Sequence, residues 1–185
     1  MNVLCFGDSN TFGYDPRGYC GGCYDKPWPS LLAEITNWNV ENLGENGREI
    51  PRFSVKFPAN TDLLIIMLGT NDLLQGKPVE VAAKRMEDFL LSIHWEKSKI
   101  LLIAPPPMQL GEWVPTERLI EVSKELALAY WDLSRRLGVW FVNAGGWNIP
   151  LAFDGVHFTE EGHRNFAFAL LNYLKEENKQ CWKLE

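Results

Sequence analysis

The chain has 185 residues, one ordinary domain's worth and enough to enclose a hydrophobic core. Its 18 Lys and Arg against 24 Asp and Glu leave a formal charge of −6, which excludes the basic footprint of a nucleic-acid or anionic-membrane binder. With 46% hydrophobic and 23% charged residues the chain is not of the disordered class, and no apolar run approaches the roughly 20 residues of a membrane span.

Met1 leads straight into an apolar run, Val3 to Phe6, without a basic leader, so no signal peptide and a cytoplasmic location are expected. The run ends on Gly7-Asp8-Ser9-Asn10 and opens a long connection, Asn10 to Pro27. Cys20-Gly-Gly-Cys23 lies in that connection. It has zinc-ligand spacing but no second Cys or His pair to match, and it reads as two reduced thiols in a glycine-rich loop, with no metal and no cofactor. A helix is expected over Trp28 to Ile35. The next run, Trp38 to Val40 with Leu43, ends on Gly44-Glu45-Asn46-Gly47 and a second long connection to Thr61.

Leu63 to Leu68 is the third run, followed by Gly69-Thr70-Asn71-Asp72. Val81, Arg85, Met86, Phe89 and Leu90 then recur at helical spacing after Pro78, a residue suited to a first turn. Ile100 to Ala104 precedes the proline-rich connection Pro105 to Pro115. Leu119, Val122, Leu126, Ala129, Leu133 and Leu137 mark a long helix that Gly138 stops. Val139 to Val142 is the fifth run. The connection Asn143 to Phe158 carries Asp154-Gly155-Val156-His157, and a last helix holds Phe166, Leu170, Tyr173 and Leu174, with Thr159 as its N-cap.

The apolar runs are nearly continuous, as strands covered on both faces are. Strand and helix in alternation predict one α/β domain over residues 1–185, a three-layer α/β/α sandwich on a parallel sheet. In such a sheet ligands bind beyond the carboxyl ends of the strands. Four strand ends here carry a hydroxyl, glycine turns, an amide, a carboxylate and an imidazole. Ester hydrolysis needs those groups: a nucleophile, a base, an orienter for the base, and donors for the oxyanion. Ser9 is the candidate nucleophile, His157 the base and Asp154 the orienter. The Ser9 N–H, the Gly44 N–H and the Asn71 amide are the candidate oxyanion donors.

Gly7-Asp8-Ser9, Gly44, Gly69-Thr70-Asn71-Asp72 and Asp154-x-x-His157 together resemble the four blocks of the SGNH (GDSL-type) hydrolases, over residues 3–174. The resemblance implies a flavodoxin-like sandwich of five parallel strands in the order 2-1-3-4-5. It also implies a Ser9, Asp154, His157 triad with Ser9, Gly44 and Asn71 as the oxyanion hole. The stretch Gly7 to Pro16 and Ala104-Pro105-Pro106-Pro107 are similar to the arylesterase and perhydrolase branch, whose members act on small acyl esters and often form oligomers. A small-molecule ester substrate, no metal and a homo-oligomer are therefore expected. One departure is Gly47-Arg48-Glu49-Ile50, where many members carry threonines; Arg48 reads as a solvated arginine.

His94 and His163 read as surface or packing residues, and Asp8 and Asp72 as braces for their turns. Tyr14, Tyr19, Tyr24, Trp28, Trp113 and Trp147 suit either a substrate pocket or a subunit interface. Two rivals remain. The same site could serve as an acyltransferase, or the fold could be a flavodoxin-like module binding a nucleotide or flavin. Against the latter, Asp8 puts negative charge where a phosphate would sit, and no Gly-x-Gly-x-x-Gly follows the first strand.

Overall fold

The computed structural model describes residues 1–18 and 21–178, so Tyr19, Cys20 and Cys181 lie outside the described residues. The chain begins with β1 (Asn2–Gly7), the one-turn helix α1 (Ser9–Phe12), a hairpin of β2 (Tyr14–Asp15) and β3 (Gly22–Cys23), then α2 (Trp28–Thr36) and β4 (Asn39–Gly44). It continues with β5 (Leu63–Met67), α3 (Thr70–Leu74), α4 (Val79–Ser92), β6 (Ile100–Ala104), α5 (Glu117–Leu137), β7 (Trp140–Asn143) and α6 (Glu160–Asn178).

β4, β1, β5, β6 and β7 form one sheet in that order, and every pair is parallel. Counted among the five long strands this is the order 2-1-3-4-5, the expected α/β/α sandwich. The two-residue periodicity of a strand sorts its side chains to opposite faces. Leu4, Phe6, Leu64, Ile66, Leu102 and Ala104 meet α4 and α5 through Met86, Phe89, Leu126 and Tyr130. Val3, Cys5, Ile65, Met67, Leu101 and Ile103 meet α2 and α6 through Trp28, Leu32, Phe166 and Leu170. All ten residues of β5 and β6 are buried, which is why those runs read as continuous hydrophobics. β4 departs from that reading. It is an edge strand with Asn39, Glu41 and Asn42 exposed, and its polar residues keep the open edge from pairing further.

Helix boundaries follow the capping signals. Pro78 immediately precedes α4, Gly138 closes α5 in the left-handed conformation, and the Thr159 hydroxyl accepts from the Gly162 N–H in the first turn of α6. Among the described residues no helix is long and apolar enough to cross a membrane.

The register brings the site together. Gly7 at the end of β1 pairs with Gly44 on one side and Met67 on the other, so three strands stop at one level. The residues that follow each stop, Asp8 and Ser9, Glu45 to Arg48, and Gly69 to Asp72, therefore crowd one rim.

Candidate active site

Ser9 opens α1, and Asp8 caps that helix by accepting the Asn10 N–H on Oδ1 at 3.0 Å. The cap makes the chain turn at the strand tip and leaves the Ser9 hydroxyl facing the rim. His157 Nε2 lies 2.9 Å from Ser9 Oγ, across 148 positions of sequence. His157 Nδ1 lies 2.7 Å from Asp154 Oδ2. Ser9, His157 and Asp154 are 6%, 2% and 1% exposed, so their polar atoms depend on one another for partners.

Asp154 is further held by the backbone of its own loop, because Oδ1 accepts the N–H groups of Val156 and His157, each at 2.9 Å. Burial pushes its carboxyl up. The hydrogen bonds from the His157 ring and from the two N–H groups outweigh that, and the carboxyl sits below its ordinary range. An ionised Asp154 makes Nδ1 the protonated ring nitrogen and leaves Nε2 as the acceptor facing Ser9.

A second loop clamps this one. Gln109 N–H donates to Gly155 O at 2.9 Å, Glu112 N–H to Phe153 O at 3.1 Å, and Trp113 N–H to Asp154 O at 3.0 Å. The clamp brings the Trp113 indole edge-on to the imidazole, with ring centroids 5.0 Å apart. Tyr14, in the hairpin after α1, approaches the imidazole at 4.6 Å. The loop aromatics thus divide. Tyr14 and Trp113 flank the base. Trp28 is core, Tyr24 packs on His163, and Trp147 packs on Phe166.

The oxyanion donors need one correction. The Gly44 N–H points to Asn42 Oδ1 at 2.9 Å and is not free for a ligand. Gly44 is glycine for a steric reason: a Cβ there would lie 2.1 Å from the Phe12 nitrogen, inside α1. The open glycine is Gly47. It occupies the third position of a turn closed by Arg48 N–H to Glu45 O at 3.2 Å, with φ +72°, where such a turn requires glycine. No described residue accepts its N–H. The Asn46-Gly47 dipeptide was the sequence signal for this turn. Asn71 is placed as expected after β5, and one hydrogen of its Nδ2 goes to Arg48 O at 3.0 Å, which orients the amide and leaves the second hydrogen for the rim.

Arg48 is also corrected. Its side chain is only 19% exposed and folds under the rim. Nη1 donates to Gly7 O at 2.9 Å and to Leu43 O, Nη2 to Glu45 Oε2 at 2.6 Å, and the guanidinium lies 4.2 Å from the Phe6 ring centroid. A surface arginine offers these donors to water; here two strand-end carbonyls and a carboxylate take them.

Asp8 is 1% exposed, and burial pushes its carboxyl up to about 6 against the pull of the Asn10 N–H, His157 and Arg48. Asp72 braces the rim from beneath, accepting Ile50 N–H at 2.9 Å and Arg85 Nη1 at 2.8 Å. Arg85 and Lys77 both hold Glu49, so the loop carrying Gly47 and Arg48 is pinned to α4 and to the turn before it. His94 is exposed. His163 is fully buried, accepts the Trp28 N–H on Nδ1, and lies outside the Ser9–His157–Asp154 line.

The family model of the GDSL-like lipase/acylhydrolase family matches residues 5–164. Among solved structures, the native aryl esterase of M. smegmatis superposes with a TM-score of 0.79 at 26% identity, over 95% of this chain and 99% of that one. A carbohydrate acetylesterase family member from Sinorhizobium meliloti superposes at 0.75 with 25% identity, over 95% and 98%. No curated protein matches the chain in sequence. The family match runs from β1 into α6 on a sheet of the same architecture as these esterases, and the chain accordingly belongs to the GDSL-like lipase/acylhydrolase family, as a carboxylic ester hydrolase.

Proposed function

We propose that the protein hydrolyses short-chain carboxylic esters, of aryl alcohols or of acetylated small molecules and sugars, through an acyl-enzyme on Ser9. The observation that carries this reading is the single line Ser9 Oγ, His157 Nε2, His157 Nδ1, Asp154 Oδ2, with contacts of 2.9 and 2.7 Å. Ser9 Oγ attacks the ester carbonyl as Nε2 takes its proton. The ionised Asp154 faces the imidazolium that forms. Nε2–H then protonates the departing alkoxide, leaving the acyl group on Oγ. Water attacks the acyl-enzyme by the same route in reverse, and the carboxylic acid leaves.

The charge on the carbonyl oxygen grows in the transition state and needs preorganised donors. The donors assigned to this role are the Ser9 N–H at the start of α1, the second Asn71 Nδ2 hydrogen and the Gly47 N–H, with Gly47 in place of Gly44 because the Gly44 N–H is bonded to Asn42. Tyr14 and Trp113 flank the base that must meet the leaving oxygen. Their rings give an aryl or small apolar alcohol a surface to lie on. The same half-exposed Trp113 offers that surface to an incoming alcohol, which favours acyl transfer as a second outcome of one acyl-enzyme.

Hydrolysis of p-nitrophenyl acetate tests the reading. Ser9→Ala is expected to lower kcat by several orders of magnitude, on the scale of ~10⁶ for serine triads. Asn71→Ala is expected to cost about 10² to 10³. A fluorophosphonate should label the native protein at Ser9 and leave Ser9→Ala unlabelled. Full activity in a folded Ser9→Ala would remove the mechanism. Native turnover with added alcohols, followed by mass spectrometry of the products, divides hydrolysis from transfer.

A further inference from the structure

We propose that Asn10 is a positioning residue that sets the register of the base against the nucleophile, a role that rests on the Ser9–His157 reading above. Asn10 follows Ser9 directly in α1, and its own backbone N–H is fixed by Asp8. Its side chain leaves the helix and grips the far loop at two points. Nδ2 donates to Val156 O at 3.0 Å, and Oδ1 accepts from Phe158 N–H at 2.8 Å. Those two backbone groups stand on either side of His157. The amide is 4% exposed, so neither bond is shared with solvent.

The chemistry selects this residue type. A carboxamide presents a donor and an acceptor side by side, as one strand presents to another, and no apolar or charged side chain of this size does both. The remaining bonds of the loop do other work. Ala152 N–H to His157 O and Thr159 N–H to Pro150 O close the loop on itself, and the Gln109 to Trp113 bonds tie it to its neighbour. Asp154 fixes the ring's tilt within the loop. Asn10 instead spans 146 and 148 positions to join the loop's backbone to the helix that bears Ser9. The Ser9–His157 distance is thereby held whether or not the Ser9 proton is in transit, when the 2.9 Å bond between them is itself being rearranged. A displacement of about 1 Å between reacting groups is enough to cost ~10²-fold.

Asn10→Leu keeps the branched side-chain shape and removes both bonds; Asn10→Asp keeps the acceptor for Phe158 and opposes Val156 O when ionised. On p-nitrophenyl acetate, Asn10→Leu is expected to lower kcat about 30- to 100-fold with KM within about twofold, and Ser9 phosphonylation by a fluorophosphonate should slow in parallel. Asn10→Asp should fall between native and Asn10→Leu, and closer to native as pH is lowered relative to each protein's own optimum. Measurements are made well below each variant's melting temperature, with the folded fraction checked by circular dichroism. The low-field Nδ1–H proton resonance of His157 should persist in both variants, since its Asp154 bond is untouched. A folded Asn10→Leu with kcat within twofold of native overturns the proposal, as does a loss of kcat explained by loss of folded protein. Activity surviving Ser9→Ala would instead remove the reading beneath it, so the two failures are distinct.

Discussion

Arg48 Nη1 donates to the carbonyl of Gly7 at 2.9 Å, and so ties the turn bearing Gly47 to the strand end bearing Ser9. The same guanidinium serves Leu43 O and Glu45 and lies over Phe6, while the Arg48 carbonyl orients Asn71. Arg48→Met is expected to cost roughly 2 to 4 kcal/mol in urea unfolding, because carbonyls at the buried end of the rim lose a charged donor. It should lower kcat more than it raises KM. Arg48→Lys should recover little, since an ammonium does not reproduce the guanidinium fork. Removing this cation should also push the Asp8 carboxyl still higher than about 6, because Arg48 pulls it down. A ¹³C titration of the Asp8 carboxyl that does not move in Arg48→Met would contradict this electrostatic pull.

Gly44 and Gly47 should respond in opposite ways to a methyl group. Gly44→Ala places a Cβ 2.1 Å from the Phe12 backbone nitrogen, and α1 has to move. Strong destabilisation and loss of activity are expected. Gly47→Ala meets nothing within 4 Å and carries only the penalty of φ +72°, about 1 to 2 kcal/mol. The N–H remains, so kcat should drop by less than about tenfold. Thermal melts and p-nitrophenyl acetate rates on the pair check the ordering; equal effects would argue against the close approach of Gly44 to α1.

Asp72 is fully buried and holds both Ile50 N–H and Arg85. Asp72→Ala strands the buried Ile50 N–H and leaves Arg85 with Glu49 as its partner, and roughly 3 kcal/mol of stability should be lost. Asp72→Asn keeps an acceptor for Ile50 and should lose less. Urea midpoints of the two variants give the comparison, and a smaller loss for Ala than for Asn would refute it.

His163 is neutral in the fold. Burial, with a further push from His157, takes its pKa from an ordinary 6.5 down to about 3. The unfolded chain binds this proton below ~6.5 and the folded chain does not. The neutral ring's contribution is therefore present above pH ~6.5 and lost as pH falls towards 3, by about 1.4 kcal/mol for each pH unit. Replacing it by Asn, which retains an acceptor near the Trp28 N–H, should flatten the acid limb of stability measured by urea unfolding between pH 6 and 4. An unchanged slope would contradict the buried neutral state.

Much of the architecture was legible in order and kind. The runs at β1, β5 and β6 are apolar on both faces because both faces are covered, and Leu119 to Leu137 repeats at helical spacing because one side of α5 meets the sheet. Local periodicity reports burial directly, so such elements can be read without partners. β4 reads in sequence as a covered strand, since Val40 and Leu43 stand out more than the polar residues Asn39, Glu41 and Asn42 that mark it as an edge. The single turns α1 and α3 were not separable from loops, being too short to show a period.

The residue types of the site, and their places at strand ends, are determined by the sequence alone. Ser9, Asn71, Asp154 and His157 all follow apolar runs of a parallel sheet, and parallel strands bring their ends to one rim. What only the tertiary structure decided is which polar atoms meet. It gave the Gly44 N–H to Asn42, turned Arg48 inward onto Gly7, sent the Asn10 amide to the backbone around His157, and divided the aromatics between core and rim. A hydrogen bond depends on distance and angle between groups that stand up to 148 positions apart, and those quantities exist only once the sheet has set its register and the loops have packed against it.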